Sequence, residues 1–111
     1  MRRREYLGQF ELMVLIAVIS IGEDAYGVPI TRELEAATGR EVAIGSVYAA
    51  LERLEEKALV TSRVGEPTPE RGGRAKQYFE VTSAGRRAVR DARRTFARLW
   101  KGLPDLKGST I

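Results

Sequence analysis

Cysteine and histidine are both absent from the sequence. Without cysteine there are no disulfides and no thiolate metal sites, and the usage fits a reducing cytoplasm. Without histidine the commonest general base and metal ligand is missing. Any catalysis would rest on carboxylates, lysine or tyrosine, and nothing in the chain pairs a nucleophile with a base. Glu52, Glu55 and Glu56 have Arg53 and Lys57 as neighbours in one helical segment, a pattern of surface ion pairing. The sequence is read as that of a non-enzyme with no metal and no cofactor.

Long apolar runs are scarce as well. The most apolar stretch, LMVLIAVISI at 12–21, has ten residues, and a membrane span needs about 20. It follows the basic Met1-Arg2-Arg3-Arg4, as a signal-peptide core would. No small-residue cleavage site comes after it; the chain continues GEDAYG. The reading is a buried helix in a cytoplasmic protein, with no membrane partner.

Charge is plentiful and unevenly placed. The 111 residues are 43% hydrophobic and 31% charged, enough for one folded domain with a modest core. Net charge is +4. Residues 71–101 hold ten Lys/Arg against two acids, a net of +8, which leaves −4 for the rest. A basic half on an acidic chain points to a polyanionic partner, nucleic acid or membrane surface. On charge alone, a solvated helix face is the alternative.

Periodicity supplies the elements. Residues 8–21 are apolar on nearly all sides except Gln9, Glu11 and Ser20, which predicts a helix buried all round, in so small a domain against a second subunit. Gly22-Glu23-Asp24 breaks it. Residues 27–38 predict a second helix, with Pro29 in its first turn, Ile30, Leu34 and Ala37 on its apolar face, and Gly39 as its stop. Residues 44–58 predict a third, with Val47, Leu51, Leu54 and Ala58 as its stripe and Ser46, Ala50, Arg53 and Lys57 opposite.

LVTSRV (59–64) and KQYFEVT (76–82) then predict two short strands. Alternation sets Val60 and Val64 against Leu59, Thr61 and Arg63, and Phe79 and Val81 against Tyr78 and Glu80. A fourth helix starts at a Thr82 or Ser83 cap and runs to about Lys101. Its stripe is Val89, Ala92, Phe96, Leu99 and Leu103, and arginines occupy much of the rest. Gly85 in its first turn reads as a small local cost.

Three helices, a hairpin and a long helix give the expected fold class: mainly α with a small β-hairpin, a winged helix-turn-helix plus a C-terminal dimerisation helix. The expected division is a DNA-binding part at 1–82 with an N-terminal arm, a dimerisation helix at 83–103, and a frayed tail at 104–111. In this fold the third helix enters the major groove, and its first turn, with Ser46 and Tyr48, lies nearest the bases. The hairpin reaches the backbone, and its tip, EPTPERGGRAK, carries Arg71, Arg74 and Lys76 for phosphate contacts around Gly72-Gly73. A cofactor phosphate loop would lead its glycines into a helix; here they lead into a strand. Arg2, Arg3 and Arg4 are either a minor-groove arm or a disordered basic tail. Arg53 is either a further DNA contact or a surface ion pair with Glu52 or Glu56. The fourth-helix stripe has no sheet large enough to cover it, so Leu7 and Phe10 of helix one are expected to meet Val89, Ala92, Phe96, Leu99 and Leu103 of a partner subunit in an isologous homodimer.

The chain resembles the PadR-type transcriptional regulators, of the short class with a single C-terminal helix. The resemblance covers about residues 8–90 and rests on LMVLIAVISIGEDAYGVPITREL, AIGSVYAALERLEEKALV and RGGRAKQYFEVTSAGRRAV. The Tyr-Gly that opens the second helix is matched by Tyr26-Gly27, and the step that opens the third by Gly45-Ser46-Val47-Tyr48. Ala58 stands where that family usually has glycine. Thr82 and Gly85 match the pattern after the wing. The resemblance implies a repressor that binds double-stranded DNA as a homodimer at a palindromic operator, with Tyr48 on a phosphate or base; the alternative for Tyr48 is packing on the second helix. It also implies that Phe96, with Trp100 one turn on, can line a pocket for a small aromatic or apolar effector; the alternative is that both belong to the dimer core. A different class, a basic amphipathic module acting on a membrane surface or another protein through the fourth helix, is the competing reading of the whole chain.

Overall fold

Three helices wrap one core because their apolar residues recur at helical spacing. In the computed structural model, which describes residues 7–66 and 75–104, α1 spans Gln9–Ile21, α2 Gly27–Thr38 and α3 Ile44–Glu56. A 3-10 turn, Gly22–Asp24, links α1 to α2. The strands β1 (Val60–Val64) and β2 (Gln77–Val81) follow, then α4 (Ser83–Lys101). The core takes Val14, Leu15 and Val18 from α1, Ile30 and Leu34 from α2, Val47, Leu51 and Leu54 from α3, and Val60, Phe79 and Val81 from the hairpin.

Several faces are rotated or cut short relative to the sequence reading. On α2 the buried face centres on Ile30, Thr31 and Leu34, and Ala37 is exposed as the helix runs past the core. Thr31 tolerates burial because its hydroxyl donates to the Gly27 carbonyl at 2.8 Å. On α3, Ala50 is fully buried rather than outward, one position beside Leu51. Its small side chain lets α3 sit close against its neighbours. Ala58 is not on the stripe at all. α3 ends at Glu56, and Ala58 turns left-handed with φ 62°. The Leu59 N–H then reaches the Leu54 carbonyl and the Ala58 N–H the Glu55 carbonyl, each at 2.9 Å, which is a Schellman ending with alanine in the glycine position.

The strands pair antiparallel, Val60 with Val81 through Val64 with Gln77. Val60, Phe79 and Val81 face the core as the alternation predicts, while Val64 is 72% exposed because the hairpin has by then passed the core edge. The free side of β2 is tied down: the Phe79 N–H donates to the Ala25 carbonyl at 2.8 Å.

Thr82 caps α4 and joins three elements. Its hydroxyl accepts from the Gly85 N–H at 3.0 Å and donates to the Ala58 carbonyl at 2.8 Å. Its own N–H donates to the Leu59 carbonyl at 3.0 Å. Gly85 is buried at this corner, where an added Cβ would run into the Leu59 carbonyl oxygen and Val81 Cγ1. The glycine that reads as a local cost is therefore what lets α4 approach the hairpin. α4 ends at Lys101, so Leu103 continues the stripe from beyond the helix.

Candidate nucleic-acid interface

The turn between α2 and α3 is built to hold a fixed angle. Gly39 takes a left-handed conformation, φ 72°, and its N–H donates to the Glu35 carbonyl at 2.8 Å. The Glu35 carboxylate then accepts the Val42 N–H at 3.0 Å, fastening the far side of the turn. α3 starts after Ala43, which offers no side-chain cap. Its first turns expose Gly45, Ser46, Tyr48 and Ala49, all uncharged, at the positive end of the helix dipole. Its later turns expose Glu52, Glu55 and Glu56. A polyanion can approach the first part of α3 freely, and in the last part it meets these acids together with the exposed Arg53.

Tyr48 links α3 to its surroundings. Its ring lies against Gly27 so closely that a Cβ there would collide with the phenol, yet 39% of the residue stays exposed. Beside Gly27, Tyr26 meets Tyr78 edge to face, with centroids 5.5 Å apart at 75°. Lys76 Nζ lies 4.5 Å above the Tyr26 ring and Arg63 lies 4.6 Å above that of Tyr78, its cross-strand partner. Such contacts hold each cation over an aromatic face. Tyr48 and Lys76 are thereby joined through Gly27 and Tyr26. Arg63 comes to the same place. Its signal in the sequence was the alternation of β1, but only the register shows that it sits opposite Tyr78.

Arg53 has a partner that the sequence does not suggest. Its Nε donates to Glu11 Oε2 at 2.6 Å, and Lys57 Nζ donates to Glu11 Oε1 at 2.8 Å. The ion pair that Arg53 makes is not the alternative one with Glu52 or Glu56; it reaches from α3 to α1. The Glu11 side chain is 11% exposed, that of Arg53 49%. Burial opposes the charge on Glu11, but the hydrogen bonds from Lys57 and Arg53, with their positive charges, hold its carboxyl below the usual carboxylate range.

Arg2, Arg3, Arg4, Arg71 and Arg74 lie outside the described residues. Leu7, Phe10 and Val89 are half-buried against the core. Between α1 and α4 runs a groove of about 820 Å³, lined by Leu7, Leu12, Met13, Ile16, Ala92 and Phe96, with Gln9, Asp91 and Thr95 among its polar groups. Phe96 is 53% exposed; Trp100, one turn on, is 68% exposed and is not part of the lining. Leu99 and Leu103 are exposed too. Among the described residues no group of acids could hold a metal, and no helix is long and apolar enough to cross a membrane.

A helix–turn–helix whose second helix offers a bare first turn, flanked by a hairpin rooted on the same surface, defines a winged helix-turn-helix protein. The chain belongs to the transcriptional regulator PadR-like family, whose model matches residues 15–91. Members of this family are DNA-binding regulators and not enzymes. Among solved structures, a complex of hsRosR-S1 is 31% identical, with TM-score 0.66, covering 91% of this chain and 80% of that one. A PadR family transcriptional regulator from Eggerthella lenta is 23% identical, with TM-score 0.68 and coverage of 88% and 83%. A PadR-like transcription factor from Bacteroides fragilis is 22% identical, with TM-score 0.71 and coverage of 85% of each chain. No curated protein sequence matches the chain.

Proposed function

We propose that this regulator is a cytoplasmic repressor that binds a palindromic operator as a homodimer. The carrying observation is the exposed, uncharged first turn of α3, with Ser46 and Tyr48, beside Lys76 at the wing root. Ser46 and Tyr48 enter the major groove, and Lys76 with Arg71 and Arg74 of the wing tip holds phosphates. Arg53 contributes a backbone contact while its Nε stays on Glu11. Arg2, Arg3 and Arg4 follow the backbone into the minor groove. Labour is divided between residues 1–82, which bind DNA, and 83–103, which pair the subunits.

The exposed Phe96, Leu99 and Leu103 support the homodimer, because a stripe of that size is a poor surface to leave in water. It runs on from the α1–α4 groove, so Leu7, Phe10, Val89 and Ala92 form the near edge of the same interface. The groove's volume falls in the range of small-molecule sites. A flat aromatic or apolar effector between Phe96 and Trp100 would act by changing how the two subunits meet. Selection of bound DNA from a random duplex pool tests the reading. It should return an inverted repeat with half-sites about one helical turn apart. An asymmetric site or no enrichment would overturn it.

A further inference from the structure

α4 carries seven cations between Arg86 and Lys101 and a single acid, Asp91. All seven cations are exposed, and the one ion pair on this helix among the described residues joins Arg94 to Asp91 at 3.3 Å. The pattern works against the helix that bears it. Arg86, Arg90, Arg94 and Arg98 recur every four residues, which sets like charges side by side. Arg86 also closes a first turn that has no acid, at the end where the helix dipole is already positive. A bound polyanion would relieve both repulsions. Six of the seven are arginine, whose planar fork matches a phosphate with two parallel hydrogen bonds.

This surface is separate from the operator-reading one. α4 begins at the opposite end of α3 from Ser46 and Tyr48, where Thr82 bonds to the Ala58 carbonyl. The 13 residues of α3 put about 20 Å between the two ends at the usual rise per residue. Glu55 and Glu56 are exposed near the α4 end, an acidic barrier to one duplex lying across both. The inner side of α4, Gly85, Ala88 and Val89, is packed on the domain, so the arginines face outward.

We propose that the arginine face of α4 is a second DNA-backbone surface that takes a second duplex, so that one assembly bridges two duplexes. The proposal rests on the DNA-binding reading above. An anionic bilayer fits less well. The exposed apolar residues Phe96, Leu99 and Trp100 occupy only the last turns of the helix, and the first turns are held against the domain, so α4 cannot lie flat in a membrane interface.

The test immobilises the selected operator duplex, saturates it with the full chain, and adds a fluorescent duplex of unrelated sequence at about 50 mM salt. The unmodified protein should retain the second duplex and release it steeply as salt rises. The combined Arg90→Gln, Arg93→Gln and Arg94→Gln variant should lose about tenfold or more of that capture and keep its hold on the operator. The matching Arg→Lys variant should capture again, which separates lost charge from lost folding. No capture by the unmodified protein, or equal capture by the Gln variant, overturns the proposal. So does parallel loss of the operator in the Gln variant, because the arginines would then belong to the first interface. Retention of phosphatidylserine vesicles with no capture of the duplex overturns it in favour of a membrane surface. Failure of the unmodified protein to hold the operator at all would bring down the DNA-binding reading as well, a result distinct from losing only the second duplex.

Discussion

Glu11 on α1 accepts the Arg53 Nε hydrogen at 2.6 Å and the Lys57 ammonium at 2.8 Å, so one nearly buried carboxylate ties the last turns of α3 to the first turn of α1. Glu11→Ala removes both bonds and leaves two cations facing each other. Charged hydrogen bonds of this kind contribute about 1.5–3 kcal/mol when buried. With half of Arg53 in solvent, a loss of about 1–2 kcal/mol is expected. Urea unfolding followed by circular dichroism checks it, and an unchanged midpoint would show that the pair is decorative.

The same carboxylate sets a pH dependence. Its folded pKa lies below the ordinary 4.5. The folded state therefore binds this proton less readily than the unfolded state does. The stabilisation is complete above the ordinary value and disappears as pH falls through the lower, folded one. Melting temperatures of the unmodified protein should drop between pH 5 and 3 more steeply than those of Glu11→Gln. Parallel curves would show that Glu11 carries no share of the acid limb.

Ala58 holds a left-handed conformation, φ 62°, that glycine adopts without strain. An L-residue there costs about 1–2 kcal/mol, partly offset by the extra freedom that glycine gains in the unfolded chain. Ala58→Gly should raise stability by about 0.5–1 kcal/mol, seen as a higher denaturation midpoint with an unchanged slope. A lower midpoint would mean that the methyl group makes a contact that outweighs its strain.

Ser46→Ala and Tyr48→Phe separate reading from packing at the first turn of α3. Tyr48→Phe keeps the ring on Gly27 and removes only the hydroxyl. If these groups contact bases, each should weaken operator binding by about 1–3 kcal/mol and leave binding to random duplexes nearly unchanged. Fluorescence anisotropy against both DNAs measures it. A uniform loss would make the residue a backbone contact, and no loss would leave Tyr48 a packing residue.

Phe96→Asp places a charge in the exposed stripe of α4. In the proposed homodimer the charge is buried twice, once per subunit, so the variant should sediment as a monomer and lose the operator in step. A folded dimer by analytical ultracentrifugation would remove Phe96 from the interface. The solvent-open groove that Phe96 lines would then be its place, and planar aromatic compounds bound there should quench Trp100, which lies outside the lining one turn farther along α4.

Local signals carried much of this fold. α2 spans the residues that its periodicity and Gly39 predict, and Thr82 caps α4 as its position before Ser83 allows. What the sequence hid is what distant residues do to one another. Glu11 looked like a polar edge of α1 because its partners lie 42 and 46 residues away. Gly85 looked like a helix defect because the carbonyl that excludes a Cβ belongs to Leu59. Ala50 and Ala58 were exchanged for a related reason: a heptad-like stripe ignores where a helix stops and how closely a neighbour approaches. Of the candidate DNA contacts, the exposure of Ser46 and Tyr48 near the start of α3 was legible from their place in the third helix. The stacking of Lys76 on Tyr26 and of Arg63 on Tyr78 depended on strand register and on the corner after α1.

The bond from the Phe79 N–H to the Ala25 carbonyl has a thermodynamic consequence. It attaches the root of the wing to the residue just before α2, next to Tyr26 with its Tyr78 and Lys76 contacts. Hairpin root and helix pair therefore form one preset tool. If this face takes DNA as proposed, docking spends little ordering entropy on it, because its shape is settled before the duplex arrives. Association would then be limited by steering and orientation and not by assembly of the face.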